Sequence, residues 1–245
     1  MNDTSNEVNT HNGHEFVDLG LPSGLLCATC NVGATSPEQA GLYFAFGETT
    51  GFTAEQVESG ERVFDEKSYK AKDMSTNLTL EQDAAHFYMG GMWRMPTKAE
   101  FEELFSNTTQ TWTLDYNGTG VVGYIFTSKV NGNSVFLPAA GFCDGSYVGG
   151  VGSRDYYWSA AWYSYYYAWY LGFGSGLQGV YYCCRYYGYS VRGVCKKEPS
   201  KEKVDQVKNI SRVIDVLTEV AKEYSGKTIE NIIVQMKSRV VELKK

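Results

Sequence analysis

The sequence of 245 residues predicts an α+β fold extended by a C-terminal α-helical hairpin. Three observations carry that prediction. Residues 111–195 alternate in the strand manner, with turn signals at Asn117-Gly118 and Asn131-Gly132. Ahead of them, Thr79 with Gln82 and Thr97 with Glu100 have the spacing of capping boxes, in which a side chain and the backbone satisfy each other at a helix start. Beyond Cys195 the apolar spacing changes to alternating steps of three and four, the mark of helices with one apolar face.

Residues 1–13 are polar and are expected to form a flexible tail; the stretch has no basic n-region and no apolar h-region, so no cleavable signal peptide is visible. From Glu15 to Gly47 the chain is strand-and-turn material, with Phe16/Val17, Leu25/Leu26 and Tyr43 to Phe46 as apolar clusters. Residues 48–78, polar and punctuated by glycine, read as an irregular insertion. The first capping box is expected to open a helix over Asp83–Met89 that stops at Gly90-Gly91. The second opens one whose Phe101, Leu104 and Phe105 share a face. One domain is thus expected over 14–195, a linker over 196–200 with Ser200 as an N-cap, and the hairpin over 201–245. In the hairpin Val207, Ile210, Ile214, Leu217, Ala221 and Tyr224 form one stripe. Gly226 stops that helix, and Thr228 caps a second one bearing Ile229, Ile232/Ile233, Met236, Val240 and Leu243. Two such helices cannot bury their apolar faces alone, so a docking partner or self-association is expected there.

Charge narrows the function classes. Residues 196–245 carry twelve Lys/Arg against eight Asp/Glu, while the remainder carries ten against twenty. A domain that acidic is a poor match for phosphate backbones, and the tail's charges alternate in sign as on a solvated helix face, so no nucleic-acid partner is expected. No apolar run reaches the roughly 18 residues of a membrane helix. Cys27-Ala-Thr-Cys30 has the spacing of half a zinc site, but no second pair accompanies it and His11, His14 and His86 are scattered, which favours two thiols on a strand. Ser225-Gly226-Lys227-Thr228 ends like a phosphate-binding loop, yet Ala221 stands where that loop needs glycine and a helix precedes it. No cofactor or metal is expected.

The informative stretch is Tyr156 to Tyr189, which holds 12 of the 19 tyrosines and three of the five tryptophans. Period two directs Trp169, Leu171 and Phe173 to one face, expected as core along with Trp158, and Tyr170, Gly172 and Gly174 to the other. Adjacent strand residues cannot all point inward. Some rings among Tyr165-Tyr166-Tyr167, Tyr181-Tyr182 and Tyr186-Tyr187 must therefore be exposed, and a contiguous exposed aromatic patch marks an interaction site. Tyrosine mixed with serine and glycine is also the composition of antibody paratopes. Catalytic signals are lacking by comparison: residues 142–195 contain two acids, Asp144 and Asp155, and no histidine or lysine.

Several motifs occur in an order that resembles a known family. His14-Glu15-Phe16-Val17-Asp18-Leu19-Gly20-Leu21-Pro22-Ser23-Gly24-Leu25 is similar to the opening of a domain of Bacteroides-type genomes related to the Fibrobacter major paralogous domain. Ala28 to Ala34, Tyr43 to Thr49, Trp93 to Phe101, Phe136 to Phe142 and Tyr189 to Arg192 continue the resemblance, which covers residues 14–195 and leaves the helical tail outside. It implies a C-type-lectin-like fold of the formylglycine-generating-enzyme branch. The group includes the variable proteins of diversity-generating retroelements, in which template adenines are miscopied and asparagine codons diverge. Ten asparagines lie in residues 1–133 and none from 134 to 208, which fits that process. On the family's framework of Ser175-Gly176, Val180, Arg185, Gly188 and Ser190-Val191-Arg192, the diversified positions are Leu177, Gly179, Tyr181, Tyr182, Cys183, Cys184, Tyr186 and Tyr187, joined by Tyr170, Gly172 and Gly174.

The resemblance implies a receptor-binding or adhesin-type protein, not an enzyme, that meets a protein or glycan on a cell surface from a cell-surface, secreted or phage-virion location. Two other readings stand beside it: an invariant surface or virion structural component, and an oxidase of the formylglycine-generating-enzyme kind using Cys183, Cys184 or Cys195 with copper. The calcium- and sugar-binding motifs of true C-type lectins are missing, since Trp158-Ser159-Ala160 does not supply one, and the paired redox cysteines of the oxidases have no counterpart.

Overall fold

The computed structural model describes residues 9–71, 75–196, 201–223 and 227–244, and the fold is α+β with mostly antiparallel sheets and five helices among them. The chain divides into two compact units between Lys196 and Lys197.

In the first unit β1 (Thr10–His11), β2 (His14–Asp18) and β3 (Leu25–Asn31) form an antiparallel sheet, and β12 (Arg192–Lys196) returns from the far end of the domain to pair with β3. A second sheet takes β4 (Thr108–Thr113), β5 (Gly123–Ser128) and β6 (Ser134–Pro138) in that order, and β7 (Phe142–Asp144) pairs with β8 (Tyr147–Gly149). The third sheet has the order β11 (Leu177–Cys184), β10 (Tyr167–Gly174), β9 (Arg154–Trp162). Residues 10–13, assigned to a mobile tail on composition, are instead built into the fold. Thr10 and His11 pair with Glu15 and His14, the Asn12 side chain donates to the Met89 carbonyl, and Trp93 Nε1 donates to the His11 carbonyl at 2.8 Å.

The helices follow their caps. Thr97 accepts from the Glu100 N–H and opens α3 (Lys98–Asn107), which buries Phe101 and Leu104 and half-buries Phe105. The Thr79/Gln82 box opens only a 3-10 turn over Leu80–Gln82. The cap of α2 (Ala84–Met89) is Asp83, whose carboxylate accepts the N–H of His86 at 2.9 Å and, from across the turn, the N–H of Met95 at 2.8 Å. Within 48–78 a third box, Thr53 with Gln56, builds the five-residue α1 (Ala54–Glu58), too short for an apolar period to announce it. Cys27 and Cys30 are both free thiols. Cys27 is buried beside Leu25, and Cys30 is half-buried, with a register shift of β3 against β12 lying between Cys27 and Asn31. Burial pushes the Cys27 thiol up to about 12.

A buried polar node ties these sheets together. Arg192, 3 % exposed, donates from Nη1 to the carbonyls of Ala28 and Thr29 at 2.9 and 2.7 Å. Its Nε and Nη2 donate to Asn31 Oδ1 at 3.0 and 2.8 Å, and Nη2 also reaches the Phe136 carbonyl at 3.0 Å. Asn31 passes the chain on, donating from Nδ2 to the Tyr157 hydroxyl at 3.2 Å, and Tyr157 donates to the Pro138 carbonyl at 3.1 Å. One guanidinium therefore joins β3, β6 and β12 directly and β9 through Asn31.

The second unit holds α4 (Lys201–Glu223) and α5 (Lys227–Leu243). Val207, Ile210, Ile214, Leu217 and Ala221 of α4 and Ile229, Met236, Val240 and Leu243 of α5 are half-buried, Ile233 is buried, and Ile232 is exposed. Thr228, read as a cap, is the second residue of α5; the linker residues 197–200, Tyr224 and Gly226 lie outside the described residues. Among the described residues no helix is long and apolar enough to cross a membrane.

Replacing Arg192 by Met is expected to cost about 3–5 kcal/mol of unfolding free energy, because it strands Asn31 Oδ1 and the three inward-facing carbonyls of Ala28, Thr29 and Phe136. Urea unfolding of the full chain checks this; a loss under about 1 kcal/mol would remove the node from its central place.

Candidate functional site

The register of the third sheet sorts the tyrosine-rich stretch onto two faces. On β10, Tyr170, Gly172 and Gly174 pair with Tyr181, Gly179 and Leu177 of β11 and with Trp158, Tyr156 and Arg154 of β9. Cross-strand partners share a face, so Tyr170, Gly172, Gly174, Leu177, Gly179, Tyr181 and Cys183 are brought to one side of the sheet. The opposite side takes Leu171 and Phe173, 0 % and 4 % exposed, into the core beside Tyr157. Of Leu177 the backbone pairing is described and the side chain is not.

The first side is half covered and half open. At the covered end Trp158 stacks on Tyr189 at 4.3 Å, and Tyr189 on Tyr156 at 4.9 Å. Tyr156 then meets Tyr170 at 5.4 Å, and Tyr170 meets Tyr181 at 6.0 Å. The aromatic series runs unbroken from a fully buried tryptophan to the half-exposed Tyr181, so the outer rings rest on a rigid base. At the open end lies a depression of about 550 Å³, with Tyr156, Tyr170 and Tyr181 as walls, Gly172 and Gly174 as floor and Arg154 at the rim. Burial raises the Tyr170 hydroxyl above its ordinary range.

The glycines set the attitude of the rings. A Cβ on Gly172 would stand 2.7 Å from Tyr170 Cε2, and one on Gly179 would stand 2.9 Å from the Tyr181 hydroxyl and 3.0 Å from its Cζ. Both rings lie down along the strand over a glycine two residues away, and Gly172 and Gly179 are themselves a cross-strand pair. The result is a pair of tyrosines offering their faces, not their edges, to whatever enters.

The remaining site residues go elsewhere. Tyr182 lies on the opposite side, 49 % exposed, stacked on Tyr163 at 4.3 Å and edge-on to Trp169 at 5.5 Å. Trp169, expected in the core, is only half-buried, because α3 covers it with Lys98, whose Nζ stands 4.6 Å over the ring while also pairing with Glu102 at 2.6 Å. Tyr165, Tyr166 and Tyr167 are exposed at the β9–β10 turn. Tyr186 and Tyr187, which belong to the runs in which some rings must be exposed, are themselves half-buried. Tyr186 packs on the cluster of Tyr43, Phe64 and Tyr69, and Tyr187 lies parallel to Tyr189 at 6.0 Å and edge-on to Phe142. They follow the end of β11, so strand alternation no longer governs them. Cys183 and Cys184 are half-buried free thiols on opposite faces of β11, and burial raises that of Cys184. Among the described residues no group of three or more His, Cys, Asp or Glu is placed to hold a metal ion.

Arg154, Tyr156 and Ser153 line the depression without having been singled out in the sequence. The only signal for them is their pairing across Gly174 and Gly172, a long-range register that local pattern does not reveal.

Gly179→Ala is expected to leave the thermal midpoint within a few degrees, since an extended backbone accepts alanine, while lifting the Tyr181 ring off the sheet. Near-ultraviolet circular dichroism and the Tyr181 ring chemical shifts check it; unchanged ring signals would mean that the glycine does not set the ring's attitude.

No protein-family model matches the chain, and neither a curated protein nor a solved structure does.

Proposed function

We propose that the first unit is a ligand-binding domain of C-type-lectin-like architecture, and that β10, β11 and the turn after them form a surface diversified by a retroelement. Its task is recognition of a protein or glycan on a cell surface, not catalysis. A rigid aromatic platform with small neighbours supplies apolar contact area at little cost in side-chain entropy.

The observation that carries the reading is how burial divides the stretch 175–192. Arg185, Ser190, Val191 and Arg192, which belong to the expected framework, are 2 %, 0 %, 0 % and 3 % exposed. Gly188, also framework, has Cys143 and Phe64 within 2.8 Å of where a Cβ would stand. Ser175-Gly176 is the tight turn joining β10 to β11. The expected variable positions Tyr181 and Tyr182 are among the exposed large side chains, and Gly172, Gly174 and Tyr181 line the depression. Residues whose replacement would break the fold and residues free to change thus alternate along one short segment. Cys183, Cys184, Tyr186 and Tyr187 fit less well, being half-buried, and so does Gly172, which is buried.

The test is the DNA that flanks the gene. A near-copy of the segment encoding β10 to Arg192, differing at adenines and lying beside a reverse transcriptase gene, is the expected finding. With no such copy, the surface would be an invariant one and the diversification reading would fail.

A further inference from the structure

We propose that the outer edge of β11 takes up an extended peptide segment of a partner protein by strand addition. The proposal rests on the reading of this region as a ligand surface and narrows it, choosing a protein strand over a glycan.

β11 is the last strand of its sheet and is bonded to β10 alone. In an antiparallel ladder every second residue of an edge strand turns its N–H and C=O away from its neighbour. Among the described residues the one further backbone bond to this strand is at its end, from the Tyr187 N–H to the Cys184 carbonyl at 3.3 Å. The strand reads Leu-Gln-Gly-Val-Tyr-Tyr-Cys-Cys, eight residues without a charge or a proline. Edge strands are ordinarily guarded by lysine, proline, bulges or a covering element, because an unguarded edge is a template for another strand. The bulge of this sheet lies at Ala168/Tyr170, on the β9 side of β10, and leaves the β11 edge straight.

The side chains give a second, independent argument. Tyr181 and Tyr182 are neighbours on β11 and are 39 % and 49 % exposed on opposite faces. A ligand seated in the depression meets Tyr181 and misses Tyr182. A strand laid against the edge projects its own side chains alternately to both faces and meets both, which is how strand addition joins main-chain affinity to side-chain specificity. Eight residues at about 3.4 Å each give an edge of about 27 Å. The domain that carries this edge has ten Lys/Arg against twenty Asp/Glu, so a second copy brought against it is repelled, and the occupant is a neutral or basic peptide segment and not another copy of the chain.

The test uses the full chain and a displayed library of linear twelve-residue peptides, with a glycan array in parallel. Selected peptides are expected to slow amide hydrogen exchange along β11 at least about tenfold. The hairpin loop is two residues long, which turns the Gln178 N–H outward, so Gln178→Pro removes an edge donor without touching the β10 ladder. That variant is expected to lose peptide capture while keeping its thermal midpoint. Peptides that bind without protecting β11, or that bind the folded Gln178→Pro variant equally well, would overturn strand addition. So would a dimer joined through β11 in light scattering. Glycan binding with no peptide selected would also overturn it while leaving the ligand surface intact. If neither peptides nor glycans bind, the binding reading of the surface fails with it.

Discussion

The Arg192 guanidinium is the constraint on which the rest of the domain depends. An arginine keeps its charge at any ordinary pH, and taking it out of water costs several kcal/mol unless its donors are met. Here Asn31 and the carbonyls of Ala28, Thr29 and Phe136 meet them. That arrangement exists only when β12 has returned to β3 and β6 has closed over both. The node is thus satisfied by the complete fold and by no part of it. Directly before it, each residue of 188–191 bonds a different element: Gly188 to Cys143, Tyr189 to Phe44, Ser190 to Tyr156 and Trp158, and Val191 to Val32. Asp155 and Tyr157 sit fully buried in the same region, and loss of solvent raises the proton affinity of both well above the ordinary. A residue pinned on every side cannot vary. Its neighbours on the strand can, provided that their side chains point away from it.

That contrast between fixed and free residues builds the surface. Leu171 and Phe173 anchor β10 into the core, so Gly172 between them is held in register beneath the Tyr170 and Tyr181 rings. Tyr170 leans on the buried stack of Trp158, Tyr189 and Tyr156, and the glycine pair of Gly172 and Gly179 leaves the space into which the Tyr170 and Tyr181 rings settle. Small and large residues alternate across the strands, and the depression follows from that alternation. Its walls are preorganised, and a ligand does not have to order them.

Much of this is legible in the sequence, and where it is not the reasons are physical. The α3 cap at Thr97, the inward Leu171 and Phe173, and the shared face of Tyr170, Gly172 and Gly174 follow from spacing alone, because helix and strand periods decide which residues are neighbours. Trp169 has the same strand parity as Leu171, but parity gives the face and not what covers it; α3 brings Lys98 there and leaves the ring half-buried. Tyr186 and Tyr187 lie past the last ladder residue, where period two has no force. Asp83 caps α2 while also bonding Met95, a contact made by the loop beyond the helix and so unreadable from the helix itself. His11 and Asn12 belong to the fold only because α2 ends beside them. Arg154 and Tyr156 reach the depression through strand pairing, which links residues about 20 apart.

The central claim is that one segment holds a frame that cannot change and a surface that can. Thermal unfolding of a combinatorial library tests it most directly, with Tyr170, Gly179, Tyr181 and Tyr182 randomised in one pool and Arg185, Ser190, Val191 and Arg192 in another. The account predicts that most members of the first pool unfold cooperatively within several degrees of the parent, and that most of the second fail to fold. Equal tolerance in the two pools, or collapse of the first, would contradict it.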